Sequence, residues 1–203
     1  MKSIGSLIAK RLEPFGCIIS YNSTSKKQRI PYRYYLLVDE VKYKQNVPKT
    51  EYSISMRLSS YILLYYPDLL SLAANNDVIV LSCALNDQTH HIVNREVMEA
   101  LGKKGIIINV GRGGLIDEME MVKCLVDGVI GGAGLDVFEI EPGVPEELFG
   151  LDKFFFFGLD NVVLSPHAAM VTQGSLDNIA QLALANLTAF FSDQPLISPV
   201  RLD

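Results

Sequence analysis

Apolar positions along the chain alternate between two rhythms. Ile4, Leu7, Ile8 and Leu12 recur at helical spacing in "IGSLIAKRLEPF", and Gly16 supplies a stop. "CIISY" from Cys17 to Tyr21 is a short apolar run and predicts a buried strand. The pattern then repeats: helix in "DLLSLAANN", strand in "DVIVLSC", helix in "NREVMEALGKKG", strand in "IIINV". It continues with a helix in "DEMEMVKCLVDG", strands in "GGAGLDVF" and "NVVLSP", and a closing helix in "SLDNIAQLALANLTAFFSD". Strands alternating with helices predict an α/β fold with a doubly wound parallel sheet. The strands are continuous apolar runs, as expected where helices cover both sheet faces.

Two stretches break the rhythm. Leu36 to Tyr65 is Tyr-rich and lacks clean periodicity, and a connection of that length is uncommon inside a compact domain. "GLDKFFFFGLDNVVLSPH", Gly150 to His167, holds four consecutive phenylalanines between two copies of "GLD". The phenylalanines are fenced by Lys153 and Asp160 and are far short of the ~20 apolar residues of a membrane span.

Composition narrows the function. A net charge of −5 over 203 residues argues against a nucleic-acid groove, and no polybasic block suits an anionic membrane. Cys17, Cys83 and Cys124 are odd in number and far apart, so neither a zinc site nor a disulfide framework is expected. Free thiols and the lack of an apolar leader after Met1 lead to the expectation of a cytosolic protein.

Ligands of such sheets bind beyond the C-terminal ends of the strands, so the residues there carry the candidate chemistry. After "CIISY" stand Asn22, Ser23, Thr24, Ser25, Lys26 and Lys27, where an NAD site places a ribose-binding acid. Hydroxyls and ammonium groups suit the 2′-phosphate of NADP; a solvated turn is the alternative. Gly5 fits the last glycine of a dinucleotide fingerprint, but Met1 and Ser3 stand where the others belong. "INVGRGGLIDE" places Arg112 between glycines, a planar cation where backbone can approach a ligand. "GLDVFEIEP" sets Asp136, Glu139 and Glu141 past the next strand, and His167 follows Ser165-Pro166 past the last. A lone histidine is more often structural, and His90 and His91 are given that reading. The conjunction of Arg112, the acids and His167 at neighbouring strand ends points to one catalytic crevice.

These stretches resemble the D-2-hydroxyacid dehydrogenase family. "IIINVGRGGLIDE", "GVIGGAGLDVFEIEP" and "NVVLSPH" are similar to its later signatures in their order, and "LAANNDVIVLSCALNDQTHHIVN" to its first, with Ala84 where proline is frequent. The "YNS" turn and the "ELF…LDNVVLSPH" run are most similar to the plant hydroxypyruvate/glyoxylate reductase subgroup. The resemblance implies a Rossmann-like cofactor domain over residues 1–170 and a C-terminal helix, 171–203, returning toward a substrate domain. It implies a homodimer that reduces a small 2-oxo acid with NADPH, NAD being less preferred, and no metal. His167 would donate the proton, Glu141 would hold the imidazole and favour its charged form, and Arg112 would polarise the ketone and orient the carboxylate. Asp136 would bind the nicotinamide carboxamide, and Ser23, Thr24 and Ser25 the 2′-phosphate. Ser3, Ile4, Gly5, Ala84, Thr89, Val110 and Ala169 would line the cofactor, beside Arg112 and His167.

The departures from the family define further expectations. Its members are longer, and the substrate domain, the first strand and two fingerprint glycines are expected to be missing here. Arginine is frequent in the subgroup where Thr24 stands, which weakens the phosphate preference. Deleting Lys153 to Asp160 restores "ELFGLDNVVLSPH", and removing roughly thirty residues from Leu36 joins "PYRYY" to "PDLLSLAANNDV" at an ordinary loop length. Both stretches are therefore expected to be insertions, the phenylalanine run either intron-derived or a late insertion. The alternative to an active reductase is a cofactor-binding or dimer-forming fragment without turnover.

Overall fold

A computed structural model describes residues 4–23, 40–41, 63–143, 145, 148 and 160–199. Ser3, Thr24, Ser25, "PYRYY" and the phenylalanine run lie outside the described residues. The chain divides into two compact units, Met1–Ser165 and Pro166–Asp203.

In the first unit α1, Ile4–Leu12, runs into a tight turn, Glu13–Phe15, closed by Gly16 at φ 76°. Strand β1, Ile19–Tyr21, pairs in parallel with β3, Leu63–Tyr65. Next come α2, Leu69–Ala74, β4, Val78–Leu81, α3, Arg95–Leu101, and β5, Ile106–Asn109. Helix α4, Glu118–Val126, leads to β6, Gly132–Leu135, and β7 is Val162–Leu164. Strands β4, β5, β6 and β7 are adjacent in that order and all parallel. Strand β2, Glu40–Val41, flanks β4 on its other side and is antiparallel, which the helix–strand rhythm did not predict. It comes from the stretch without periodicity. An edge strand offers unpaired N–H and C=O groups to any extended segment, whatever its direction.

Local chemistry sets the helix limits. The side chain of Asp68 accepts the Ser71 N–H, Asn94 that of Val97, and Asp117 that of Glu120, so each helix start has an N-cap. Gly102 ends α3 at φ 80°.

Ile79, Leu81, Met98, Ile107, Leu115 and Met121 form the centre of the core between α2, α3 and α4 and the sheet. The expected apolar face of α1 is displaced: Gly5, Ser6 and Ala9 are buried, whereas Ile4 is 57% exposed. Small residues let α1 lie close on the sheet, with Ala9, Ile19 and Val80 buried together and Ile8 and Leu12 packed at their margin.

The second unit holds α5, Gln173–Phe191, capped by the Thr172 side chain at the Ser175 N–H. None of its residues is buried; Ile179, Leu184, Leu187, Phe190 and Phe191 are exposed. Among the described residues, no helix is long and apolar enough to cross a membrane.

Candidate active site

The loop after β5 carries Arg112. Asn109, buried at the strand's last position, uses Oδ1 to accept the Gly111 N–H and Nδ2 to donate to the Arg112 carbonyl at 2.9 Å. The Arg112 backbone is thereby fixed from its own strand. Its guanidinium donates to the Gly111 carbonyl at 2.7 Å and is exposed. Gly113 follows for a reason other than approach to a ligand. A Cβ there would lie 1.8 Å from the Phe138 carbonyl carbon and 2.2 Å from the Glu139 nitrogen. The loops after β5 and β6 thus meet backbone to backbone, which only glycine permits.

The loop after β6 carries the acids. Asp136 is buried; its N–H donates to the Asn109 carbonyl, and its Oδ1 accepts the Ser165 hydroxyl at 2.6 Å. The ends of β5, β6 and β7 are thus linked through one residue, by the Asp136 N–H to β5 and by its carboxylate to Ser165. Glu141 is exposed and accepts the Phe138 N–H at 3.0 Å, folding its loop back on itself. Glu118 accepts the Glu139 N–H at 3.0 Å, and burial, with the charge of Glu139 as a smaller cause, pushes its carboxyl above the usual range.

After β4, the Thr89 hydroxyl donates to the Ala84 carbonyl at 2.7 Å and accepts the Asn86 N–H, closing a compact turn. Val110 is half-buried and donates its N–H to Leu81. Near the start of the chain, Gly5 is buried, Ile4 is exposed, and β1 runs into Asn22 and Ser23. Asn22 donates to the Tyr66 carbonyl at 2.9 Å. In the second unit, His167 is exposed at φ 53° and Ala169 is exposed nearby in sequence.

The structure also assembles a group that the sequence reading set aside. His91 Nε2 lies 2.7 Å from Glu139 Oε1, and its Nδ1 lies 4.0 Å from Asp117. The rings of His90 and His91 stack at 3.9 Å. No spacing rule could bring His91 and Glu139 together, since they lie 48 residues apart on loops after different strands.

The residues present suit a dinucleotide at the nicotinamide side. A buried carboxylate, Asp136, stands at the central strand ends.

Comparison with known proteins agrees with this architecture. Residues 48–169 match the family described as D-isomer specific 2-hydroxyacid dehydrogenase, NAD binding domain. The chain is 63% identical over 99% of its length to glyoxylate/hydroxypyruvate reductase HPR3 of Arabidopsis thaliana, covering 50% of that protein. It is 44% identical over 97% of its length to hydroxyphenylpyruvate reductase of Plectranthus scutellarioides, again covering 50% of the relative. The crystal structure of an NADPH-dependent glyoxylate/hydroxypyruvate reductase from Sinorhizobium meliloti, in complex with NADP and malonate, superposes with a TM-score of 0.75 at 34% identity. That match covers 97% of this chain and 50% of the other. The chain spans about half the length of the curated relatives it matches. On its parallel α/β sheet and these matches, the chain belongs to the D-isomer specific 2-hydroxyacid dehydrogenase family, through that family's NAD-binding domain.

Proposed function

We propose that this chain is the cofactor-binding and proton-donating part of an NADPH-dependent reductase of small 2-oxo acids, with hydroxypyruvate and glyoxylate as substrates. The observation that carries the reading is the order of β5, β6 and β7 in one parallel sheet, followed at once by Arg112, by Asp136 to Glu141, and by Ser165 to His167. Bound NADPH supplies the hydride. Arg112 binds the substrate carboxylate and polarises the ketone, because a planar fork matches a carboxylate and its charge offsets the developing alkoxide. His167 gives its proton to the carbonyl oxygen, and Glu141 holds the imidazole for that transfer. Asp136 binds the carboxamide of the nicotinamide. Ser23, Thr24 and Ser25 hold the 2′-phosphate, and Ser3, Ile4, Gly5, Ala84, Thr89, Val110 and Ala169 line the cofactor. The whole protein works as a homodimer in the cytosol.

The half-length match favours a second reading, a cofactor-binding fragment without turnover. Two measurements separate them. Fluorescence titration with NADPH and NADH tests the cofactor half, with tighter NADPH binding expected; equal or tighter NADH binding overturns the phosphate assignment. NADPH oxidation with hydroxypyruvate tests turnover, and this chain as given is expected to show little. In a chain extended to the relatives' length, His167→Ala should slow reduction by about 10²–10⁴-fold with NADPH binding nearly unchanged. Full activity of that variant would remove His167 from the mechanism.

A further inference from the structure

The group formed by His90, His91 and Glu139 has no part in the reduction just described. Each residue offers one ligand atom, and all three atoms lie within 4.8 Å of one another. Consecutive side chains on extended backbone point to opposite sides. Here the left-handed turn at His91, φ 51°, brings both imidazoles to one side, their rings 3.9 Å apart and 24° from parallel. The turn is anchored, since the His91 N–H donates to the Gly114 carbonyl at 2.8 Å. Glu139 is anchored as well, through its own N–H on Glu118.

We propose that His90, His91 and Glu139 bind a divalent transition-metal ion of the zinc class, with Asp117 as the carboxylate that positions His91. Two imidazole nitrogens and one carboxylate oxygen suit zinc, cobalt or nickel; calcium and magnesium prefer all-oxygen sets. Three protein ligands leave a fourth position for water. A ligating histidine characteristically turns its other ring nitrogen to a carboxylate, and His91 has Glu139 at Nε2 and Asp117 on the Nδ1 side at 4.0 Å. Among the described residues, Asp117 and Glu139 both approach this one histidine, so two carboxylates crowd the same ring. A divalent cation balances them. Zinc bonds of about 2.0–2.1 Å set tetrahedral ligand atoms about 3.3–3.4 Å apart. The 2.7 Å contact opens slightly on loading, and His90, which is exposed, swings its ring inward. The ion would tie the loop carrying Glu141 to the connection between β4 and α3.

The test is calorimetric titration of the tag-free, chelator-treated 203-residue chain with Zn²⁺. One ion per chain with a Kd of about 10 µM or tighter is expected, and no binding up to about 1 mM overturns the site. His91→Asn, which tolerates the left-handed backbone, and Glu139→Gln should each weaken binding by about 100-fold or more, and His90→Ala likewise. Should one variant fail to fold by circular dichroism, the other two decide. Asp117→Asn should weaken binding by about 10–100-fold while the chain stays folded by circular dichroism, because asparagine still caps α4. His167→Ala should bind normally; its loss of binding, or a thiolate-to-metal charge-transfer band with Co²⁺, would place the ion elsewhere and overturn the proposal.

Discussion

β4, β5 and β6 pair in parallel as runs of four residues, from Val78 to Leu81 and onward, whereas β1 and β3 pair from Ile19 to Tyr21 only. Behind the first group lie Ile79, Ile107, Leu115 and Met121, all fully buried; Ile19 of β1 packs only in a small cluster with Ala9 of α1 and Val80 of β4. The loops that carry Arg112 and Glu141 therefore hang from the better-packed side of the molecule. The side of β1, with Gly5 and Ser23, rests on shorter pairing among the described residues. Local opening follows buried contacts and protected hydrogen bonds. The loops after β5 and β6 are thus held by the larger core, while the end of β1 has less packing behind it.

The sharpest way to break this contrast is Gly113→Ala. The new Cβ meets backbone atoms of Phe138 and Glu139, which cannot rotate away. We expect a loss above about 4 kcal/mol, at the rare end of single substitutions, seen as failure to fold or a large fall in the urea midpoint. A fall of under about 1 kcal/mol would mean that the two loops are not locked together. Next in size is Ile107→Ala at about 2–5 kcal/mol, since β5 lies between β4 and β6 with Ile107 fully buried. Ile19→Ala should cost less, because its cluster is smaller and can collapse around the gap. Native-state hydrogen exchange sharpens the same point: β5 amides should exchange with global unfolding and β1 amides by local opening. Equal protection in both strands would erase the distinction.

Much of this was legible in the sequence, and the exceptions have a common cause. Asn94, Asp117, Gly16 and Gly102 mark helix ends by chemistry that acts over three or four residues, so the linear pattern shows it. Arg112, Asp136 and the Ser165-Pro166-His167 run follow apolar strands, so their place at strand ends is equally visible. What the sequence could not show depends on contacts between distant segments. Gly113 is glycine because of Phe138, His91 turns because of Gly114 and faces Glu139, and Ser165 reaches Asp136. On α1 the pattern misled, because burial there follows the smallest residues, which permit close approach, and not the most apolar ones.

Helix starts give a smaller test. Asn94→Ala removes the acceptor of the Val97 N–H and should cost about 1 kcal/mol by urea unfolding. Because Val97 and Met98 are buried, α3 should remain helical in that variant, with unchanged circular dichroism. Loss of helix would show that the cap, and not the core, holds this side together.

The smallest effect concerns the junction between the two sides. Tyr66 donates its N–H to the Tyr21 carbonyl, Asn22 binds the Tyr66 carbonyl, and two residues later Asp68 caps α2. The Ser71 backbone N–H and then its side chain hold the Asp68 carboxyl below its ordinary value of 3.8. A carboxyl lowered on folding stabilises the folded state above its unfolded pKa, and that contribution disappears as pH falls through the lowered folded value. Asp68→Asn keeps the cap and removes the charge. The native chain should therefore have the higher Tm at neutral pH, and the gap should close as pH falls below about 3.8. Every other carboxylate is common to the two proteins, so their titration cancels in the difference. A gap independent of pH would mean that the carboxylate's charge contributes nothing at this helix start.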